Sequence, residues 1–110
     1  MTGVGEEITS ISESSGLPTH YDLRQNYPNP FNPITTIHYQ LPRNSAVKLV
    51  VYDLLGKQVR SLINQTVEAG YHQVEWNGRN DNGVQVSSGI YIYRFRAESF
   101  SQVKKMVLLK

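Results

Sequence analysis

The run Gln25-Asn26-Tyr27-Pro28-Asn29-Pro30-Phe31-Asn32-Pro33 restricts the fold more than any other stretch. It holds three of the five prolines of the 110-residue chain, each preceded by Tyr or Asn. Proline fixes φ at about −65° and has no N–H to offer a sheet ladder. The residue before it is pushed toward extended geometry, and Asn favours turns. The run therefore cannot be helix or a central strand. It nevertheless carries two large aromatics, Tyr27 and Phe31. These predict a rigid, non-repetitive segment whose rings plug one end of a β domain. The alternative is a proline-rich linker, against which both aromatics argue.

On either side the pattern is that of strands. Ile37, Tyr39 and Leu41 alternate with Thr36, His38 and Gln40, the two-residue period of a half-buried strand. Before the run, a short strand is expected over Tyr21 to Gln25. Past the Pro42-Arg43-Asn44-Ser45 turn, Val47, Leu49 and Val51 form one face of a strand from Ala46 to Tyr52. Asp53-Leu54-Leu55-Gly56-Lys57 reads as a hairpin turn, with Gly56 at φ > 0. A weaker strand is expected over Gln58 to Ile63, with Val59 and Leu62 inward. His72, Val74 and Trp76 share a face of the next. A long polar turn, Asn77 to Gly83, leads to Ile90 to Ala97, where Tyr91, Tyr93, Phe95 and Ala97 face one way. Glu98-Ser99 turns into Phe100 to Leu109, which does not alternate cleanly. Its apolar end either pairs inside the sheet or is read from outside. About seven strands and no helix predict an all-β fold, an immunoglobulin-like antiparallel β-sandwich, whose usual size is about 100 residues.

The domain division expected is a flexible leader or linker over residues 1–20 and one sandwich over residues 21–110. Met1-Thr2-Gly3-Val4-Gly5 is not a signal peptide and reads as an added start on a piece of a larger protein. The chain has no cysteine, which removes disulfide frameworks, cysteine-based zinc sites and thiol catalysis. Net charge is +2, and the basic residues are scattered, with only Lys104-Lys105 adjacent. No nucleic-acid stripe is evident, and no apolar run approaches the ~20 residues of a transmembrane segment.

Catalytic and metal signatures are not expected. His20, His38 and His72 lack local ligand spacing, and no nucleophile elbow or phosphate loop occurs. Asp22, Asp53, Glu75, Asp81 and Glu98 fall at turns or on polar faces. Asn77 to Asn82 supplies oxygen donors but lacks the closing acidic ligand of a calcium loop, since position 88 is Ser; a polar turn is the plainer reading. Tyr52 and Tyr71 are the rings expected outside. Asn64-Gln65-Thr66 matches a glycosylation sequon, a frequent chance match.

Taken in order, Leu23-Arg24-Gln25-Asn26-Tyr27-Pro28-Asn29-Pro30-Phe31-Asn32-Pro33, Thr35-Thr36-Ile37 and Leu41-Pro42 resemble the opening of the type IX (Por) secretion system C-terminal sorting domain, type A. Val51-Tyr52-Asp53-Leu54-Leu55-Gly56, Ala69-Gly70-Tyr71-His72, Val74-Glu75-Trp76-Asn77-Gly78, Ser88-Gly89-Ile90-Tyr91 and Lys104-Lys105-Met106-Val107-Leu108-Leu109-Lys110 agree. The Trp-Asn-Gly and Ser-Gly-Ile-Tyr parts are shared with the Ig-like domain of flagellar hook-capping proteins. Asn77 stands where Asp is frequent.

The resemblance implies a non-enzymatic module without cofactor. It directs a cargo domain of the same polypeptide through an outer-membrane translocon of Bacteroidetes-type bacteria, by way of the periplasm, to the cell surface or medium. A sortase-like peptidase then cuts upstream, here among Ser10 to His20. It also implies translocon recognition at Lys104, Lys105, Met106, Val107, Leu108, Leu109 and Lys110, where a terminal strand with free backbone groups suits strand addition. Tyr27, Pro28, Asn29, Pro30, Phe31, Asn32 and Pro33 remain a structural motif. The second reading is an accessory β-sandwich of an extracellular hydrolase, binding polysaccharide or the cell surface through Tyr52 or Tyr71.

Overall fold

In the computed structural model, which describes residues 16–110, the alternating segments form two antiparallel sheets. The strands are β1 (Asp22–Leu23), β2 (Thr35–Leu41), β3 (Ser45–Tyr52), β4 (Gln58–Val67), β5 (Gly70–Trp76), β6 (Gly89–Ala97) and β7 (Phe100–Leu108). One sheet has the order β1-β2-β5 and the other β4-β3-β6-β7. The expected all-β sandwich is the fold, with no helix among the described residues, and hence none long and apolar enough to cross a membrane.

Period-two patterning decides which face goes inside. Ile37, Tyr39 and Leu41 of β2 pack against Val47, Leu49 and Val51 of β3 and Tyr91, Tyr93, Phe95 and Ala97 of β6, all buried. The hairpin between β3 and β4 closes with Asp53 N–H on Lys57 C=O and Gly56 N–H on Asp53 C=O. Gly56 takes φ 86°, where a Cβ would be strained.

Four expectations need correction. The first strand is only Asp22–Leu23, because Arg24 onward leaves the sheet for the proline run. β4 runs on to Val67, and its inward residues are Val59 and Ile63. The register steps from Leu49↔Ile63 to Val50↔Ser61, so Leu62 is an extra residue in a bulge. The last strand does alternate: Met106 and Leu108 are fully buried, while Val103 and Leu109 are about half exposed.

The fourth correction concerns the run itself, all three of whose X–Pro bonds are cis. Phe31 is the plug, 2% exposed, packed against Trp76 with the rings tilted and their centroids 5.7 Å apart; Trp76 meets Tyr91 edge-on at 5.4 Å. Tyr27 is not a plug, being 77% exposed. Its backbone bridges Thr36, and extended geometry there turns Asn26 inward and Tyr27 outward.

Candidate functional site

The two segments singled out at opposite ends of the sequence meet in space. Phe31 bridges Leu108 in parallel fashion: Phe31 N–H donates to Val107 C=O and Leu109 N–H donates to Phe31 C=O, both at 2.9 Å. Val107 N–H donates to Asn29 Oδ1 at 3.0 Å, and Gln25 Nε2 donates to Lys105 C=O at 2.7 Å. The proline run is thus a strap along the outer edge of β7. Prolines cannot supply ladder donors, so side-chain amides of Gln25 and Asn29 take the place of backbone groups. The same prolines leave the far side of the strap unable to recruit another strand.

A buried polar cluster holds the strap in place. Asn26 and Thr35 are both buried. Asn26 Nδ2 donates to Thr35 Oγ1 at 2.9 Å and to Pro28 C=O at 3.2 Å, and Thr35 Oγ1 donates to Pro28 C=O at 2.8 Å. Asn26 Oδ1 accepts from Gln25 Nε2. From the opposite sheet, the Tyr93 hydroxyl accepts from Asn26 N–H and donates to Arg24 C=O, both at 2.8 Å. Burial pushes this phenol up to about 12, although the Asn26 N–H bond pulls it down. Sequence reasoning placed Asn26 and Thr35 in the motif without giving either a role. Their signal was available: two polar residues flanking a run of prolines with a buried ring must find each other.

The expected recognition residues divide by face along β7, which ends at Leu108, and Lys104 is half-buried. Met106 and Leu108 are core. Lys105, Leu109 and Lys110 are exposed and Val107 is half-buried. The backbone groups of Lys105, Val107 and Leu109 that face outward are already bonded by the strap, so free strand addition is not the route there. What this corner offers a partner is side chains.

The other candidates separate. His38 is exposed, while His72 stacks on Tyr39 at 5.3 Å and its Nε2 reaches Glu68 C=O at 2.7 Å. No group of three or more His, Cys, Asp or Glu side chains is placed to hold a metal among the described residues. In the polar turn, Asp81 Oδ1 accepts from Ser61 N–H at 2.9 Å and Oδ2 from Gln58 Nε2 at 3.0 Å, while its own N–H donates to Val59 C=O. Those bonds, with Arg60 nearby, hold its carboxyl below the usual range. The turn is a clip on the edge of β4. Asn80 Oδ1 is likewise taken, by Asn82 N–H and Val84 N–H. Tyr52 and Tyr71 stand on different sheets and form no common platform. Of the proposed cleavage stretch, residues 10–15 lie outside the described residues; Pro18 is buried and His20 C=O accepts from Gln40 Nε2.

Residues 33–101 match the FlgD Ig-like domain family. The chain belongs to that family. The FlgD Ig-like match covers β2 to the beginning of β7 and stops short of the junction on both sides: residues 25–32 of the strap and residues 102–110 of the last strand lie outside it. No curated protein matches the chain. Among the solved structures similar to it in fold are two from one organism. Dimeric latent PorU from Porphyromonas gingivalis aligns over 81% of this chain and 9% of its own, at 22% identity and a TM-score of 0.64. PorZ, an essential bacterial surface component of the type-IX secretion system of the same organism, aligns over 82% and 11%, at 21% identity and a TM-score of 0.54. The chain spans about a tenth of either protein.

Proposed function

We propose that this FlgD Ig-like domain is a non-catalytic sorting module that directs an attached cargo domain through the type IX secretion system to the cell surface or medium. The observation that carries the reading is the junction. A strap composed of the proline motif braces the last strand and leaves Lys105, Leu109 and Lys110 facing water in a fixed arrangement. The sandwich shared with PorZ supports the same system. In this reading the outer-membrane translocon contacts those side chains and Val107. A sortase-like peptidase cuts before the sandwich, and the strap acts by presentation alone.

The test is export of a reporter fused ahead of the chain in a bacterium with a working type IX system. L109D and K110E, alone and together, are expected to block export with the melting temperature unchanged, since neither side chain is in the core. Normal export of the double variant overturns the assignment. Lost sorting in Y27A with unchanged melting would instead show that the strap itself is read.

A further inference from the structure

The outer face of the four-stranded sheet carries charge that the fold does not use. Register sets Lys48 directly opposite Arg96, Val50 opposite Arg94 and Tyr52 opposite Ile92. Across β6, Arg94 faces Val103 and Ile92 faces Lys105. Lys48, Arg94, Arg96 and Lys105 therefore share one face. None of them is in an ion pair; among the described residues the ion pair present is Arg24 with Asp22. The carboxylates nearest the ends of the face are otherwise engaged. Asp53 Oδ1 accepts from Leu55 N–H and Lys57 N–H, and Glu98 Oε2 accepts from Ala46 N–H. Like charges directly opposed on neighbouring strands destabilise a sheet, so Lys48 against Arg96 is a cost with no return inside the molecule.

The cations also shape a cavity. Val50 points outward yet is 3% exposed, because the surrounding side chains cover it. Lys48, Val50, Tyr52, Arg94 and Arg96 line a cleft of about 70 Å³. Beside it, and sharing Tyr52 and Arg94, is a wider depression of about 350 Å³ walled by Leu54, Ile92 and Val103, with Asp53 and Gly56 at its rim.

We propose that this face binds an acidic polysaccharide, with a sugar carboxylate in the cleft between Lys48, Arg94 and Arg96 and the sugar ring over Tyr52 in the adjoining depression. Guanidinium groups match a planar carboxylate with paired hydrogen bonds. A tyrosine face takes the apolar side of a sugar ring. Ser61 and Asn64, opposite Val50 and Lys48 on β4, supply a hydroxyl and an amide for sugar hydroxyls. A nucleic acid fits less well, since Tyr52 is the one aromatic on this face and single strands are held by successive stacked bases. An acidic peptide satisfies the cations but leaves the depression over Tyr52 without a ring. The site is independent of the sorting corner, apart from Lys105, which belongs to both and is left unchanged in the test.

The experiment is calorimetric titration of the purified chain with short oligogalacturonate and oligomannuronate. Controls are a neutral oligosaccharide of equal length, and polyglutamate and oligothymidylate of equal charge. Saturable binding to a uronate oligomer is expected, absent for the neutral sugar and weakened by added salt. R94Q, R96Q and Y52A are each expected to lower affinity by about tenfold, the size of a lost hydrogen bond to a charged group or a lost ring contact. Thermal melting of K48Q and R96Q checks the fold, and neither is expected to lose stability, because each removes an opposed charge. Binding to neither uronate overturns the proposal. So does equal binding of polyglutamate or oligothymidylate together with indifference to Y52A, which identifies a nonspecific polyanion surface.

Discussion

Tyr93 has no exposed surface, yet its hydroxyl is fully engaged, joining β6 to the point where the chain leaves β1 for the strap. Replacing it with Phe leaves Asn26 N–H without an acceptor and Arg24 C=O without a donor, at a cost of about 1–3 kcal/mol. The phenol also sets a pH limit. Its folded value, about 12, lies above the ordinary 10.0, so the native state favours the protonated ring. That stability is complete below pH 10 and is lost as pH rises toward 12. Denaturant unfolding across this range is expected to show a shallower alkaline decline in Y93F, with a remainder from Tyr39, whose phenol burial also raises. The aromatics of the strap divide in the same way. F31A removes the ring packed against Trp76 and is expected to cost about 3–5 kcal/mol. Y27A, at an exposed ring, is expected to stay within about 0.5 kcal/mol in the same measurement.

At the level of elements, the two edges of the four-stranded sheet are managed by loops. β7 has the strap, and β4 has the Asp81 clip. Asp81 is held below its ordinary 3.8 by Ser61 N–H first and Gln58 second. Its contribution is therefore full above that pH and is lost as pH falls through the lower folded value. Hydrogen exchange should report this as reduced protection of the Ser61 amide in acid, and D81N should show reduced protection already at neutral pH. Equal protection of Ser61 in both proteins would exclude the clip. β4 is also where sequence patterning was hardest to read. In β2, β3 and β6 one two-residue period runs from end to end, and its inward residues are apolar apart from the first of each strand, Thr35, Ser45 and Gly89. In β4 the register shifts at two places: Val59 and Ile63 are the buried residues, and the apolar Leu62 between them lies in a bulge, where it interrupts the alternation. Gly78 shows another limit. It reads as an ordinary turn glycine, but at φ 76° a Cβ there would come within 2.9 Å of Gln85 Nε2 and close to Pro33 C=O and Leu108. It is the place where the polar turn packs onto the strap and β7.

For the whole molecule, the sandwich and its inner faces were legible because burial on one side imposes period two on the residues themselves. The junction was not. Gln25, Asn26 and Asn29 act through side-chain amides that leave no periodic trace, and their partners lie as far as 78 and 80 residues away. The consequence for any truncation is direct. Removing Met106 to Lys110 removes two fully buried side chains, each worth about 2–5 kcal/mol, out of a total stability of roughly 5–15 kcal/mol, and also takes away the anchorage of Phe31. Circular dichroism of that shortened chain is expected to show no cooperative melt. A retained transition would mean that the strap closes the sandwich without β7. Export lost on such a deletion therefore reports unfolding, and point substitutions at Leu109 and Lys110 are the sharper tool.

The strap and the last strand together make a surface that neither has alone. Its corner comes into being only when β7, the last strand in chain order, has been added to β6 and the early proline segment has closed over it. A receptor that grips Lys105, Leu109 and Lys110 in that arrangement does not read a short linear tag. It reads a checksum: the same few side chains, in the same relative positions, are available only from a chain that has been made past its last strand and has finished folding.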